Sequence, residues 1–334
     1  MTETAAASRP EGALIGDVKR PTISIVLPLY DRRNAGWESL RSALGQRFPR
    51  QRFEIVAVLG QDAATGAARE SDVEAMLIRC DAVVRCGVDD TVPANEIQLF
   101  LAGYARSRGE LIFFCEGHTV LHDDCCALID EHFARHPQCD IGWAPRLDHA
   151  DSPLGRLVAM HNRRHEGRAA DAGTFTLGAS SVIRRPVLEA LGGLDPRYLR
   201  FSETALYHRA LRRHVVVGRI RGPLATHYDD MPADHWRRLA IDTGAARYAY
   251  YGDLLARGQG GKSAVRHRAY LYARRAWLAG LLAPPLRLIG NASLWLATQA
   301  LRSSAALAYR CYLLALGCTD LAGYCRAASL SRRW

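Results

Sequence analysis

The sequence predicts an α/β fold in which a mostly parallel sheet is flanked by helices, followed by a helical C-terminal segment. Short, β-branched apolar runs alternate with stretches of helical spacing up to about residue 220, the order that builds strand, helix, strand units. The main runs are apolar throughout, which is typical of strands buried on both faces of a parallel sheet. After residue 261, long apolar stretches are interrupted by single arginines and no strand pattern remains.

The first elements form one strand, helix, strand unit. Residues 22–29, TISIVLPL, predict a buried strand that ends in the polar loop at residues 30–34. Residues 37–46 have helical spacing, and residues 53–60, FEIVAVLG, predict the second strand. A right-handed crossover is expected from this order.

The later elements continue the alternation. Residues 110–115, ELIFFC, predict an apolar strand that stops at Glu116, Gly117 and His118. Open α/β sheets bind ligands at the carboxyl ends of their strands, so these polar residues are candidates for a site. The other predicted strands are residues 83–86, 175–183 and 215–220, and the other predicted helices are residues 94–106, 125–135 and 186–191.

Charge and cysteine content divide the chain and indicate its compartment. The net charge is +10, and residues 262–334 hold eleven Lys or Arg against one acid, Asp320, so the first 261 residues are balanced. Residues 1–20 contain no apolar core of signal-peptide length and are expected to be a disordered leader. The nine cysteines have no spacing typical of a metal or redox motif, and their odd number argues against a closed disulfide framework. A reducing, cytoplasmic environment is therefore expected.

Four motifs in order resemble a family 2 glycosyltransferase. They are SIVLPLYDR at residues 24–32, FEIV at 53–56, GELIFF at 109–114 and GGLD at 192–195. The resemblance covers residues 22–230. It implies a Rossmann-like GT-A fold for a domain of residues 21–261, a nucleoside-diphosphate sugar donor, a divalent metal and inversion at the anomeric carbon. A nicotinamide oxidoreductase is disfavoured because no G-x-G-x-x-G turn follows the first strand.

The resemblance also implies where the metal would bind. This family normally has Asp-x-Asp after the strand, and this chain has Glu116, Gly117 and His118 there. A carboxylate and an imidazole two residues apart could face one ion, and this donor set suits Mn²⁺ better than Mg²⁺. His227 resembles a further ligand of GT-A enzymes, with Asp229 and Asp230 as alternatives. The competing interpretation is that Glu116 and His118 only cap a surface turn.

The donor contacts implied by the resemblance are Pro28, Tyr30, Asp31 and Glu116. Tyr30 could stack on a nucleobase, and Asp31 could accept a hydrogen bond from a ribose or base. Relatives have an aspartate after the second strand that contacts the base, whereas residues 59–62 here are LGQD. The nucleobase is therefore not assigned.

Glu203 is the predicted general base. Inversion requires a base within hydrogen-bond reach of the attacking hydroxyl, and this family uses a carboxylate at the start of the helix after GGLD. Here that place reads Ser202, Glu203, Thr204, which leaves one carboxylate. The competing interpretation is a helix N-terminal carboxylate stabilised by the helix dipole.

Residues 262–334 predict a basic amphipathic helical tail that associates with an anionic membrane surface at the inner face of the cell membrane. The longest uncharged run, residues 288–301, is too short to span a bilayer. The tail would hold the enzyme near a lipid-linked or glycan acceptor. It could instead cover a second subunit of a homo-oligomer. Nucleic acid is disfavoured as a partner because no ordered aromatic and basic module is present.

Two other functions stay open for the whole chain, a catalytically silent glycosyltransferase-like scaffold and a soluble natural-product glycosyltransferase.

Overall fold

The computed structural model describes residues 21–29, 36–60, 70–86, 96–171, 181–258 and 276–330. The strands within these ranges form two sheets. The larger sheet has the order β3-β2-β1-β4-β8-β6-β9, and the smaller sheet has the order β5-β10-β7. The strands are β1 (Ile23–Leu29), β2 (Phe53–Leu59), β3 (Ala82–Arg85), β4 (Leu111–Phe114), β5 (Thr119–Leu121), β6 (Ile141–Trp143), β7 (Leu147–His149), β8 (Ser181–Arg184), β9 (Val217–Arg219) and β10 (Ala225–Tyr228).

The larger sheet is parallel except at one strand. Strands β1, β2, β3 and β4 run parallel, while β8 runs antiparallel to its neighbours β4 and β6. Because β2 and β4 lie on opposite sides of β1, the sheet reverses its winding direction between β1 and β4. In open α/β sheets such a reversal leaves a crevice at the carboxyl ends of the strands.

The helices lie on both faces of the larger sheet and in a C-terminal layer. They are α1 (Gly36–Leu44), α2 (Glu70–Leu77), α3 (Glu96–Tyr104), α4 (Cys125–Arg135), α5 (Pro153–Asp171), α6 (Arg185–Ala190), α7 (Ser202–Arg212), α8 (Ala233–Ala256), α9 (Ala276–Ala300) and α10 (Ala305–Leu330).

Strand β1 is apolar except for Ser24 because both of its faces are buried, and Ser24 Oγ donates a hydrogen bond to Glu54 Oε1 of β2 at 2.6 Å. Ile25 and Leu27 belong to the core cluster on one face, and Val26 between them belongs to the cluster on the other. Alternate side chains of a strand point to opposite faces, so a strand between two helical layers needs apolar residues at successive positions.

The predicted strands of the larger sheet and the predicted helices between them agree with the structure to within a few residues where both are described. The predicted strand at residues 175–183 is observed as Ser181–Arg184, and residues 172–180 lie outside the described ranges. The sequence did not predict β5, β6, β7 and β10, nor the long helices α5 and α8. Strands of three or four residues are too short to show a period of two.

The C-terminal helices α9 and α10 pack along each other, and α10 packs on α8 through backbone contact. A Cβ atom on Gly244 of α8 would lie 1.9 Å from the carbonyl oxygen of Asp320, and one on Gly323 would lie 2.0 Å from that of Ile241. The two helices therefore approach more closely than any larger residue allows. Within the described ranges, no helix combines the length and apolar character needed to cross a bilayer.

Candidate functional site

The turn between β4 and β5 holds Glu116, Gly117 and His118 at the carboxyl end of the larger sheet. Three hydrogen bonds fix its backbone: Thr119 N donates to Glu116 O (3.0 Å), Tyr228 N donates to His118 O (3.1 Å), and Ser39 Oγ donates to Gly117 O (2.9 Å). Bonds to β10 and to α1 therefore anchor the backbone of the turn from two sides.

Gly117 is required by the close approach of β1. A Cβ atom at this position would lie 2.3 Å from the carbonyl oxygen of Pro28. The turn therefore rests directly on the end of β1, beside the reversal of the sheet.

Three ligand-capable atoms converge at this turn. His227 Nε2 lies 2.7 Å from His118 Nε2 and 2.8 Å from Glu116 Oε2, and His118 Nε2 lies 3.1 Å from the same carboxylate oxygen. His118 is 2% exposed and His227 is 5% exposed. The smaller sheet creates this convergence, because β10 pairs with β5 and places His227 opposite Thr119.

The triangle of atoms fits one divalent ion. Two ligands at right angles on an ion with bonds of about 2.1 Å lie about 3 Å apart, close to the three observed separations of 2.7, 2.8 and 3.1 Å. The donors are one carboxylate oxygen and two imidazole nitrogens, and two imidazoles suit a transition metal better than Mg²⁺. Glu116, His118 and His227 are therefore a candidate metal-binding triad.

A second set of polar groups supports His227 from its other side. Asp229 Oδ1 lies 3.2 Å from His227 Nδ1 and accepts a hydrogen bond from Asn162 Nδ2 of α5 at 3.0 Å. Asp148 Oδ1 lies 3.9 Å from the same Nδ1 and 2.8 Å from Arg146 Nε. A proton on Nδ1 that is shared with Asp229 leaves the lone pair of Nε2 free for an ion, the arrangement by which proteins orient histidine ligands.

The charges at the site stabilise one another. Burial opposes ionisation of Glu116, but the charge of His118 and the hydrogen bonds from His118 and His227 outweigh it and hold the pKa of the carboxyl well below its usual range. Burial likewise opposes protonation of His227, but its hydrogen bonds with Asp229 and Glu116 raise its pKa above the ordinary value. The site therefore keeps an anionic carboxylate beside His227, whose positive charge a bound cation can replace.

Solved structures resemble this chain, whereas no protein-family model and no curated protein matches its sequence. The mannosyltransferase PcManGT from Pyrobaculum calidifontis, in complex with GDP-Man and Mn²⁺, aligns over 94% of this chain and 88% of its own, with 17% identity and a TM-score of 0.51. TarS 1-349 from S. aureus aligns over 93% of this chain and 91% of its own, with 12% identity and a TM-score of 0.48. The chain has a GT-A fold. The predicted fold class is thus confirmed, including the C-terminal helices.

Within the GT-A fold, the three predicted metal ligands lie together. Of the two alternatives to His227, Asp229 contacts the imidazole as described, while Asp230 has another role. Its carboxylate accepts hydrogen bonds from the backbone N–H groups of Asp151 and Ser152, both at 2.8 Å, just before the start of α5. Asp230 therefore stabilises the entry to a helix.

Two of the remaining predicted site residues, Pro28 and Glu203, lie within the described ranges, and neither is one of the ligand-capable groups of this cluster. Pro28 is buried at the end of β1 beside Gly117, while Tyr30, Asp31 and the segment 61–62 lie outside the described residues. Glu203 is partly buried in the first turn of α7, where Ser202 Oγ accepts a hydrogen bond from Asp195 N at 2.6 Å. Their roles in donor binding and proton transfer stay predictions.

Sequence reasoning missed Asp148 and Asn162. The register of β7 and β10 places Asp148 beside His227, and α5 brings Asn162 to Asp229 across 67 residues of sequence. Neither residue lies in a recognisable motif. The only local signal for Asp148 was its own acidic character in the short segment that precedes α5.

Proposed function

We propose that this chain is a metal-dependent glycosyltransferase that moves a sugar from a nucleoside-diphosphate sugar to a hydroxyl acceptor with inversion. The observation that carries the proposal is the convergence of Glu116, His118 and His227 at the carboxyl end of β4 in a GT-A fold. A sugar diphosphate needs a cation there, because negative charge accumulates on the leaving group as the bond to the sugar breaks.

Glu116, His118 and His227 would hold the ion, with Asp229 orienting His227 through Nδ1. When bound, the ion would neutralise the diphosphate and polarise its bond to the sugar. Two imidazoles favour Mn²⁺ over Mg²⁺, and the similar mannosyltransferase was solved with GDP-Man and Mn²⁺. Glu116 would also lie against the donor.

The proposed donor contacts after β1 are Pro28, Tyr30 and Asp31. The acceptor hydroxyl would attack the anomeric carbon from the side opposite the diphosphate. Its proton passes to the carboxylate of Glu203 as the new C–O bond forms and the bond to the phosphate oxygen breaks. Glu203 is the acidic residue in the first turn of α7, the helix that follows GGLD, and its side chain is only partly buried.

The acceptor would be lipid-linked or a glycan, reached by a peripheral enzyme at the cytoplasmic, anionic face of the cell membrane. Helix α9 supports this with two exposed apolar rows at heptad spacing, Leu281, Leu288 and Trp295 beside Leu282, Ile289 and Leu296. The acid of α10, Asp320, is buried and paired with Arg247 at 2.7 Å. The exposed charges of α9 and α10 are therefore cationic, which suits an anionic surface.

Thermal unfolding in the presence of donors tests the proposal. The protein is screened against nucleoside diphosphates and their sugars with Mn²⁺, Mg²⁺ or chelator. A nucleotide at 100 times its dissociation constant stabilises the native state by about 2.7 kcal/mol, which raises Tm by about 5 °C. We expect such a shift with one nucleotide class and Mn²⁺, its loss in Glu116→Gln, and its retention in Glu74→Gln, an exposed control on α2.

Release of sugar from the shifting donor then tests catalysis, and we expect Glu203→Gln to lower turnover while leaving the thermal shift unchanged. Folded protein that responds to no nucleotide with any metal contradicts the proposal and favours a catalytically silent scaffold.

A further inference from the structure

A cavity of about 720 Å³ lies where α5, α8 and α9 meet, outside the metal-binding triad. The loop before α5, the start of α8 and the end of α9 form its walls. The residues that carry the argument are Leu154, Met231, Leu294 and Leu301, which make an apolar lining, and Arg156 and Arg302.

The two arginines are the charged residues of this lining, and both are exposed. Neither has a carboxylate partner among the described residues, whereas many other arginines of the structure do, such as Arg146 with Asp148. Unpaired guanidinium groups above an apolar lining complement a ligand that has both an anionic group and a hydrocarbon part. Planar guanidinium groups bind phosphate oxygens particularly well.

The cavity lining is close in sequence to one residue of the candidate metal-binding triad. Met231 follows His227 by four residues, and a chain extends by at most about 3.5 Å per residue, so their Cα atoms lie within about 14 Å. Asp230 joins the two regions, because its carboxylate binds the backbone N–H groups of Asp151 and Ser152 in the opposite wall. An acceptor held in the cavity would have about this distance to span to a sugar at the triad.

The exposed apolar rows of α9 are close in sequence to the residues of α9 that line the cavity. Trp295 and Leu296 are 62% and 48% exposed and lie just before the lining residue Thr298 of the same helix and the lining residues Leu301 and Arg302 of the turn after it. A hydrocarbon chain that leaves the cavity therefore has an apolar surface to follow.

We propose that this cavity binds the phosphate head and adjoining hydrocarbon of an amphiphilic acceptor, a lipid phosphate that carries a glycan whose free hydroxyl attacks the donor. The inference rests on the proposed glycosyl transfer and names the acceptor class for it. Arg156 and Arg302 bind the phosphate, and the leucines and Met231 contact the first carbons of the chain.

Dodecyl phosphate below its micelle concentration is the probe, titrated into the full chain by calorimetry. We expect it to bind at least tenfold more tightly than either inorganic phosphate or the uncharged dodecyl maltoside, because both parts of the ligand are recognised. Arg156→Gln and Arg302→Gln should each weaken binding about tenfold, since each removes a charged hydrogen-bond donor. Arg212→Gln, an exposed arginine on α7, serves as the matched control and should bind like the parent.

Equal affinity for dodecyl phosphate and dodecyl maltoside overturns the proposal, as does equal binding by all three variants. Vesicles of phosphatidylglycerol separate a bilayer surface from a cavity: if they bind the parent while dodecyl phosphate does not, the arginines serve the membrane surface and the proposal is wrong. Exclusion chromatography tests a second copy as the occupant. A dimer that Arg302→Gln dissociates also overturns the proposal.

Failure of this inference is distinguishable from failure of the proposed function. The Mn²⁺-dependent thermal shift with nucleotides needs no acceptor, and dodecyl phosphate binding needs neither metal nor donor. Lipid binding without any nucleotide response contradicts the glycosyltransferase and leaves the cavity assigned. The reverse result retains the transferase and removes the lipid phosphate.

Discussion

Substituting Gly117 with alanine should displace the metal-binding triad without touching a ligand. The new Cβ atom would lie 2.3 Å from the carbonyl oxygen of Pro28, about 1.1 Å short of an ordinary contact of 3.4 Å. Both partners are backbone, so no side chain can rotate away. The turn must therefore retreat from β1 by about 1 Å and carry Glu116 and His118 with it.

The expected effect follows from the geometry of the triad. Bound ions need their ligands within about 0.5 Å of the productive positions, and the turn is also held by the hydrogen bond from Ser39 Oγ to Gly117 O at 2.9 Å. We expect Gly117→Ala to lower Mn²⁺ affinity at least tenfold. Overpacking should also lower the free energy of unfolding by about 1–3 kcal/mol.

Calorimetric titration with Mn²⁺ at 25 °C measures the affinity, and urea unfolding measures the stability. Gly317→Ala is the matched control, because a Cβ atom at Gly317 on α10 meets nothing within 4 Å. It should leave Mn²⁺ affinity unchanged and raise stability by up to about 1 kcal/mol through helix propensity. A folded Gly117→Ala protein with the parent's Mn²⁺ affinity would refute the link between this turn and the ion.

Three further results are expected. Asp229→Asn keeps the side-chain volume but removes the charge that orients His227, so Mn²⁺ affinity should fall 10- to 100-fold by calorimetry; an unchanged affinity contradicts that role. In Gly244→Ala the added Cβ atom would lie 1.9 Å from the carbonyl oxygen of Asp320, so α8 must move away from α10. The urea midpoint should fall by an amount equivalent to about 1–3 kcal/mol. Burial raises the pKa of Asp320 above its unfolded value near 3.8, so its contribution to stability is complete below that value and is lost as pH rises through the folded-state pKa. The stability of Asp320→Asn relative to the parent, measured as the difference between their free energies of unfolding, should therefore be greater at pH 7 than at pH 4. The opposite trend would contradict the assigned burial effect.

The alternation of apolar runs and helical stretches was enough to predict the larger sheet. Strands such as β1 and β2 are buried on both faces, so their sequences are almost entirely apolar, with Ser24 and Glu54 as the polar exceptions. The same local logic located Glu116 and His118, because a polar turn after a buried strand lies at the carboxyl edge where α/β sheets bind ligands.

Local sequence carried far less information about the C-terminal layer. Helix α8 mixes alanine, tyrosine and arginine with little separation into faces, so its length was not predicted. Its contact with α10 depends on Gly244 and Gly323, and the role of these two glycines is visible only once the two helices are packed together.

The sequence by itself predicted the fold class and, through a polar turn after a buried strand, the candidate ligands Glu116 and His118, while the resemblance to family 2 glycosyltransferases suggested His227. Only the tertiary structure decided that His227 meets Glu116 across 111 residues, and that Asp148, Asp229 and Asn162 gather behind it. The physical reason is that this convergence is set by the register of the three- and four-residue strands β5, β7 and β10. Strands of that length carry no periodic pattern, and their pairing is fixed by contacts distant in sequence.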